Sequence, residues 1–299
     1  MKKRIIFLII AVGLVLLNPL TRAQSTGAGQ KEFKIQLKTY LGITSQTPTN
    51  LITCIRFSSN NRLEMFDGEF PALDEEGWWY FEDAEKKNVR SGQYSINNVN
   101  GLDFITISWS AGTQEKYLFL TNNEIGGLYL YKADSTPYFK RSGGGMFGWE
   151  VFGSDSWIKA SSFFKEIVSG KTIIHSPDKL GIKIGECWVP NRGTKGQLTL
   201  SIGPQSSENI YISNGFVSFL KPNLYRDNSR IKKIRLYNNS GHSKIVELKD
   251  SPHFQSISIA DFNIPFFERG IINIEILEVY QGTKYPDTCL NSIYWFGTQ

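Results

Sequence analysis

Short stretches of alternating apolar and polar residues, spaced about ten residues apart, recur along most of the chain. Near the start, Phe33, Ile35 and Leu37 are apolar and alternate with polar residues. A period of two is typical of strands that bury one face, because successive side chains in a strand point to opposite sides. Turn-forming Asn, Gly and Ser separate these stretches, and patterns typical of helices are few, so we predict an all-β protein. The predicted strands are residues 33–37, 51–57, 63–66, 77–81, 92–96, 104–109, 115–120 and 127–131, then 196–202, 209–213, 231–238, 244–248, 254–259 and 271–279.

The strand spacing and a change in composition predict two domains. Residues 31–132 have the pattern of an antiparallel meander that closes into a small barrel-like domain. Residues 133–157 are rich in Gly and predict a linker. Residues 158–299 then form a second β-domain. The chain is long enough for two domains even without its first 23 residues.

Those first 23 residues have the three parts of a secretory signal peptide. Residues 2–4 are basic, residues 5–17 are apolar, and residues 21–23 end in a small residue of the kind a signal peptidase reads. The apolar segment is shorter than the roughly 20 residues that span a bilayer, so we expect cleavage after Ala23 rather than an uncleaved membrane anchor. The cleaved chain is expected not to be transmembrane. It is expected to be exported, to the periplasm, the outer surface or the medium.

Removing the signal peptide also removes most of the positive charge. The whole chain has 33 Lys and Arg against 28 Asp and Glu, a net charge of +5. Four of the basic residues and none of the acidic ones precede residue 24, which leaves a net charge of +1. Nucleic-acid-binding domains usually carry a dense basic patch. The charge therefore argues against a nucleic-acid partner.

Two Gly-containing segments match nucleotide-binding loops only in part. Ser169-Gly170-Lys171-Thr172 has the end of a phosphate-binding loop, but Lys165 replaces the required earlier Gly. The residues that follow favour a strand, so we predict a hairpin turn. Residues 142–146 lack the spacing of a dinucleotide-binding loop and belong to the predicted linker.

Candidate catalytic and metal-binding residues are sparse. The three His residues, His175, His242 and His253, have none of the spacings at which pairs of metal ligands occur. The acidic residues 74–76 have the chemistry of a Ca²⁺ site, but a solvated loop is the expected structure. No pair of carboxylates stands out for glycoside hydrolysis. We therefore expect no enzymatic activity.

Five motifs in the second half occur in a characteristic order. They are Trp188-Val189-Pro190-Asn191, Asn214-Gly215-Phe216, Asn228-Ser229-Arg230-Ile231-Lys232, Leu248-Lys249-Asp250 and the stretch from Val279 to Thr288. Together they resemble the NADase-type glycan-binding domain, a discoidin-like, galactose-binding-type domain. The resemblance covers residues 158–299 and implies a jelly-roll or discoidin-like β-sandwich. Residues 31–132 resemble lipocalin-like small β-domains, but only in the spacing of their strands and turns.

The resemblance implies recognition of a ligand rather than a reaction. Aromatic faces stack on the apolar faces of sugar rings while polar side chains bind the hydroxyls. Loops of the second domain carry both kinds of residue, although packing inside the domain would also explain each of them. We expect an exported, non-catalytic protein that binds a glycan or another cell-surface ligand. The alternative is a structural or protein-interaction module of a bacterial cell-envelope assembly, with an envelope protein as partner. The expected ligand-binding residues are Trp188, Asn191, Arg192, Asn214, Phe216, Tyr225, Asn228 and Arg230.

Two departures from the family pattern concern a structural Ca²⁺ ion. Related sandwiches can hold such an ion through acidic and carbonyl oxygens near their terminal strands. Here the first motif has lost its acidic residue, and Ser292 stands where the family has Glu. The loss of charged ligands argues against the ion, and no other cofactor is expected.

The family fold also bears on the three Cys residues, Cys54, Cys187 and Cys289. A signal peptide implies an oxidising compartment, in which disulfides persist. The two ends of a galactose-binding-type sandwich come together, which would bring Cys187 near Cys289. A disulfide between them and a pair of buried free thiols are both consistent with the sequence. Cys54 is expected to be a buried thiol.

Overall fold

The computed structural model describes most of the chain from residue 39 onward. Outside the described residues lie the predicted signal peptide, the predicted strand at 33–37, the acidic residues 74–76 and the Gly-rich residues 142–146. The described ranges are 39–41, 52–68, 72–73, 79–80, 86–141, 149–152, 157–191, 196–203, 208–264 and 268–297.

The described residues confirm the all-β prediction. Their helical segments are one short α-helix, α1 (Leu224–Asp227), and 3-10 turns at Pro177–Lys179 and Ala260–Phe262. None of these helices is long and apolar enough to cross a membrane. The strands are β1 (Thr39–Leu41), β2 (Ile52–Ser58), β3 (Arg62–Gly68), β4 (Ala72–Leu73), β5 (Trp79–Tyr80), β6 (Lys87–Val99), β7 (Leu102–Trp109), β8 (Gln114–Asn122), β9 (Gly127–Tyr131), β10 (Phe139–Arg141), β11 (Trp149–Phe152), β12 (Ile158–Ala160), β13 (Lys165–Val168), β14 (Lys171–Ile174), β15 (Gln197–Ile202), β16 (Asn209–Asn214), β17 (Ser229–Tyr237), β18 (Ser243–Glu247), β19 (Gln255–Ser258), β20 (Gly270–Tyr280) and β21 (Thr288–Gly297).

The first sheet is an antiparallel meander with the order β1-β2-β3-β6-β7-β8-β9-β10. It curls until β1 lies close to β10, the strand at its other edge. The inner face buries alternate residues such as Ile105, Ile107 and Trp109 of β7, because strand side chains alternate between the two faces. The expected barrel-like sheet is therefore present.

Strand β9 and parts of β7 and β8 are buried on both faces. The residues between the inward-facing ones, among them Phe104, Leu118, Leu120, Tyr129 and Tyr131, form a second apolar cluster with residues of the C-terminal half. This explains why β8 and β9 carry nearly continuous apolar runs instead of strict alternation. This part of the outer face of the first sheet is thus an internal surface of the molecule, whereas β6 is largely exposed.

The C-terminal half is a β-sandwich. One layer is β12-β15-β20-β17-β18 and the other is β11-β21-β16-β19, and the layers meet where β17 and β21 pair in parallel. Ile, Leu and Trp side chains from both layers fill the space between them. The parallel pairing joins Ser229 to Thr288 and Arg230 to Cys289. It therefore brings the loop before β17 next to the loop before β21.

Polar contacts also join the first sheet to the sandwich. His253 lies in the loop before β19, and its ring contacts Thr121 of β8 through Nδ1 and Asp103 of β7 through Nε2. The Asp134 carboxylate accepts hydrogen bonds from the Ser218 hydroxyl and the Phe219 amide. These bonds and the shared apolar cluster hold the described residues in one compact unit.

A two-stranded hairpin, β13–β14, projects from the sandwich. Its turn is at Ser169 and Gly170, whose φ angles are 50° and 76°, which confirms the hairpin turn predicted for this segment. Its base is fixed by hydrogen bonds from the Phe164 amide to Val189 O (2.8 Å) and from the His175 amide to Phe164 O (3.0 Å). The base of the hairpin is therefore held firmly against the segment that contains residues 187–189.

Candidate functional site

A pocket of about 240 Å³ lies where three segments of the C-terminal half meet. The segments are the base of the β13–β14 hairpin with residues 187–189, the stretch from β16 to the start of β17, and the loop before β21. Aromatic and polar side chains both line it, which is the usual make-up of a ligand pocket. The lining residues are Phe164, Glu166, His175, Cys187, Val189, Phe216, Leu224, Asn228, Tyr285, Asp287 and Cys289.

A larger groove of about 680 Å³ lies on the first sheet, among Ser58, Asn60, Arg62, Gln93 and Ser110. The described residues that line it are mostly polar and include no aromatic ring. A wide polar groove offers little apolar surface from which a ligand can displace water. We therefore take the smaller pocket, with its aromatic walls, as the candidate site.

The hairpin wall is built from Phe164, Glu166 and His175. The rings of Phe164 and His175 are nearly parallel, at 13°, with centroids 6.1 Å apart. His175 Nε2 lies 3.1 Å from Glu166 Oε1. Pairing across the hairpin places Glu166 opposite Ile173, two residues from Phe164 in the anchored base. His175 is thus held by the base itself, and Glu166 is held by the pairing of β13 with β14.

The second wall contains Phe216 and Asn228. Phe216 follows Gly215, whose φ of +85° suits Gly and whose added Cβ would lie 2.6 Å from the Tyr225 ring. Asn228 Nδ2 donates to Leu224 O at 2.8 Å, which ends helix α1 and orients the Asn228 side chain. The backbone angle of Gly215 therefore fixes the position of Phe216, and the hydrogen bond to Leu224 fixes that of Asn228.

The third wall is the loop that carries Tyr285 and Asp287. The Tyr285 amide donates to Asp227 O (2.8 Å), and Asp287 O accepts from the Ser229 amide (2.9 Å). Gly282 is required in this loop because an added Cβ would collide with Asp227 O. The loop is thereby tied to the second wall along its length.

Cys187 and Cys289 lie side by side at the pocket, and both are buried free thiols. Burial raises the pKa of Cys187 well above its ordinary value, and a hydrogen bond to Cys289 adds to the shift. The isolated bridge between Trp188 and Leu290 places the two Cys residues diagonally across neighbouring segments. Diagonal residues have Cα atoms about 7–8 Å apart, beyond the usual range of a disulfide.

The structure describes seven of the eight predicted binding residues and places them in three environments. Phe216 and Asn228 line the pocket, and Asn228 is itself buried. Asn191 is exposed, and its amide donates to Ser162 Oγ (3.2 Å). Arg192 lies outside the described residues. The remaining members, all buried, are Trp188, Asn214, Tyr225 and Arg230.

The polar atoms of these buried residues are engaged by the protein itself. Trp188 Nε1 donates to Ser162 O (3.1 Å), and Asn214 exchanges two hydrogen bonds with the backbone of Ile231. Arg230 makes a two-pronged contact with Asp250, with both distances 3.0 Å. These buried side chains therefore stabilise the loops of the pocket through hydrogen bonds inside the protein.

Asp250 is the anion of this supporting cluster. Burial alone would raise the pKa of its carboxyl, but hydrogen bonds and charge from Arg230 and Arg226 hold the pKa below its usual range. The Tyr225 hydroxyl also points to Asp250, at 3.4 Å. Tyr225 is therefore part of the support for α1, and the pocket receives Leu224 from the same helix.

Nine lining residues were not among the predicted binding residues, and five of these carry an aromatic ring or a carboxylate: Phe164, Glu166, His175, Tyr285 and Asp287. The last two belong to the fifth family motif, which marks the loop but not the direction of its side chains. The first three lie in a hairpin about 110 to 120 residues earlier in the chain. Only the folded topology joins the hairpin to that loop.

The residues present do not fit a calcium site at Ser292. Ser292 is buried in β21, paired with Ser213, and its hydroxyl has no hydrogen-bond partner. Calcium requires several oxygen ligands, usually including carboxylates. Within the described ranges no three His, Cys, Asp or Glu side chains come together as a metal site.

Comparison with known proteins supports the fold of the C-terminal half. Residues 191–296 match the family model described as NAD glycohydrolase translocation F5/8 type C domain. This match confirms the resemblance found in the motifs. No curated protein matches the chain. The C-terminal half of the chain is therefore a β-sandwich that is similar, over residues 191–296, to the F5/8 type C domain, a domain type whose role is binding.

Proposed function

We propose that this protein is an exported, non-catalytic binding protein that holds one sugar unit of a glycan in the pocket. The observation that carries the proposal is the meeting of Phe164, Phe216 and Tyr285 with Asn228 and other polar groups in one pocket. Aromatic faces offer stacking surfaces for the apolar side of a sugar ring, and the polar groups bind its hydroxyls. The family match adds a domain type whose role is binding.

The size of the pocket limits the ligand. Pockets for drug-sized ligands have volumes of roughly 300–1,000 Å³, and this one has about 240 Å³. One sugar unit within a longer chain suits such a space, with its neighbours outside the pocket. Export is supported by the predicted signal peptide and by the match to a family described as a translocation domain.

A broad glycan array tests the proposal. The protein without its predicted signal peptide, residues 24–299, is compared with the variants Phe216→Ala and Tyr285→Ala. Tyr138→Ala is the matched control, because Tyr138 is an exposed aromatic residue that does not line the pocket. We expect the parent and the control to bind the same glycans and the two pocket variants to lose at least about tenfold in affinity, since stacked aromatic groups dominate such contacts. Equal binding by all four proteins would place the site elsewhere.

A second candidate function is a protein-interaction module of the cell envelope. The β13–β14 hairpin favours it because Ile167 is 77% exposed and Val168 and Ile174 are also exposed. Under this alternative, the folded protein gives no signal on the array. It then recovers an envelope protein in pull-down experiments, and Ile167→Ser abolishes that recovery.

A further inference from the structure

The charge of the pocket indicates which kind of sugar it takes. Two carboxylates line it, Glu166 from the hairpin and Asp287 from the loop before β21. Among the described lining residues neither Lys nor Arg occurs. On the basis of the proposed glycan site, we propose that the bound unit is an amino sugar with a free, protonated amino group.

Glu166 and Asp287 come from segments more than 100 residues apart. One carboxylate oxygen of Glu166 contacts His175 Nε2, and the Glu166 side chain is 38% exposed. A carboxylate has about four lone-pair sites on two oxygens, so this contact leaves Glu166 able to accept a bond from an ammonium group. Hydrogen bonds between ammonium and carboxylate groups are about twice as strong as neutral ones.

The aromatic walls favour the same ligand. An ammonium group is attracted to the face of a Phe or Tyr ring within about 6 Å of its centre. The walls supply Phe164, Phe216 and Tyr285. A neutral sugar would gain from stacking and from hydrogen bonds to its hydroxyls but not from the charge, and an acidic sugar would be repelled by both carboxylates.

Two other groups at the site affect its electrostatics. His175 adds positive charge beside Glu166 when it is protonated. The Nζ of Lys284 lies 5.0 Å from the centre of the Tyr285 ring, but Lys284 is exposed and does not line the pocket. Water and salt screen an exposed charge strongly, so Lys284 offsets the two carboxylates only weakly.

Ligand-observed NMR titration tests this inference with three sugars that differ at one position. D-glucosamine carries the charged amine, N-acetyl-D-glucosamine has the amine acylated, and D-glucose has a hydroxyl there. We expect D-glucosamine to bind about tenfold more tightly than the other two, the factor that about 1.4 kcal/mol from a charged hydrogen bond gives. The preference should shrink as the salt concentration rises.

Charge-removing variants assign the preference to the two residues. Glu166→Gln and Asp287→Asn should each weaken D-glucosamine binding about five- to tenfold and weaken D-glucose binding less, so that the preference for D-glucosamine shrinks. Glu278→Gln is the control, since it makes the same change of net charge at a residue that does not line the pocket. Thermal melts of all variants show whether each one is folded.

Each outcome separates this inference from the proposed function. Equal binding of the three sugars, or a preference that survives in both variants, would overturn the amino-sugar assignment and leave the glycan proposal standing. Binding of other glycans on the array without any response to D-glucosamine would also overturn it. Absence of binding to every sugar tested would overturn both.

Discussion

Arg230 fixes the loops around the pocket through a buried ion pair. Its side chain is 5% exposed and is held by Asp250, while its Nη1 donates to Asn228 O at 2.8 Å. Removing Arg230 would leave the partly buried Asp250 with Arg226 as its remaining cationic partner. The residue therefore joins the stability of the fold to the shape of the site.

We predict that Arg230→Ala lowers the free energy of unfolding by about 2 kcal/mol, because its charged hydrogen bonds to a partly buried partner are lost. The matched control is Arg235→Ala on the same strand, because Arg235 is 46% exposed and pairs with Glu275 at the surface. The control substitution should lower the free energy of unfolding by less than about 1 kcal/mol. Urea unfolding followed by fluorescence measures both, and equal losses would contradict this account of Arg230.

At the residue scale, the sequence predicts which loops matter better than which side chains face the ligand. Phe216 and Asn228 line the pocket, whereas Trp188 and Tyr225 face the interior. Aromatic residues serve packing and stacking equally well, so residue type alone does not separate the two roles. The direction of each side chain depends on neighbours such as Asp250 and Ser162 that are distant in sequence.

The β13–β14 hairpin depends on a turn that only Gly fits without strain at one position. Gly170 has a φ of +76°, and an added Cβ would meet no atom within 4 Å. A substitution there therefore acts through backbone strain alone, which costs about 1 kcal/mol. Because the hairpin carries Glu166, a loosened turn should change binding more than global stability.

We predict that Gly170→Ala weakens ligand binding several-fold while changing the melting temperature little. Gly112→Ala is the control, since Gly112 has a φ of +86° and equally open surroundings in a turn of the first sheet. The control should leave binding unchanged. Binding curves and thermal melts of the three proteins provide the check, and equal binding by all three would contradict a role for the hairpin in the site.

The diagonal arrangement of Cys187 and Cys289 predicts free thiols. All three Cys residues are buried, so a thiol reagent should react slowly with the native protein. After unfolding without a reducing agent, it should detect three thiols per chain. A count of one thiol would instead demonstrate a Cys187–Cys289 disulfide.

At the element scale, alternation predicts most of the longer strands, but the ten-residue β21 is absent from the predicted set. The predicted segment at 127–131 coincides with β9, and the one at 271–279 lies within β20. The short strands β10, β11 and β12 were not predicted. Each has three or four residues and is defined by a distant or longer partner, as when β11 pairs with β21. Periodicity carries little information over so few residues.

The whole molecule depends on the contact between the first sheet and the sandwich. At its centre the Thr121 amide donates to His253 Nδ1 at 3.0 Å, so Nε2 carries the ring proton and donates to Asp103 at 2.9 Å. Burial alone would raise the pKa of Asp103, but hydrogen bonds from His253 and Asn98 hold it below its usual range. The ionised carboxylate is therefore the form that stabilises the contact.

This contact predicts a loss of stability in acid. A carboxyl whose pKa is lowered by folding contributes stability above its unfolded pKa of about 3.9 and loses that contribution as the pH falls through the folded value. Asp103→Asn should cost about 1–3 kcal/mol at pH 7, and its difference from the parent should shrink in acid. Urea unfolding at several pH values measures this, and a difference that stays constant with pH would contradict the prediction.

At this scale the sequence predicts two β-domains but not their shared core. The sequences of β8 and β9 would look the same with separate domains and with a shared core, because an apolar run does not reveal which element covers each face. The partners of Phe104 and Tyr129 lie in the C-terminal half of the chain. Contacts between such distant residues are a property of the fold and not of any local pattern.

The central claim is that the pocket between the hairpin and the loop before β21 is the ligand site. Protein-observed NMR during titration of residues 24–299 with D-glucosamine tests it most directly. We predict that the largest chemical-shift changes fall on Glu166, His175, Phe216, Asn228 and Tyr285. Changes centred instead on the polar groove of the first sheet, around Asn60 and Gln93, would contradict the claim.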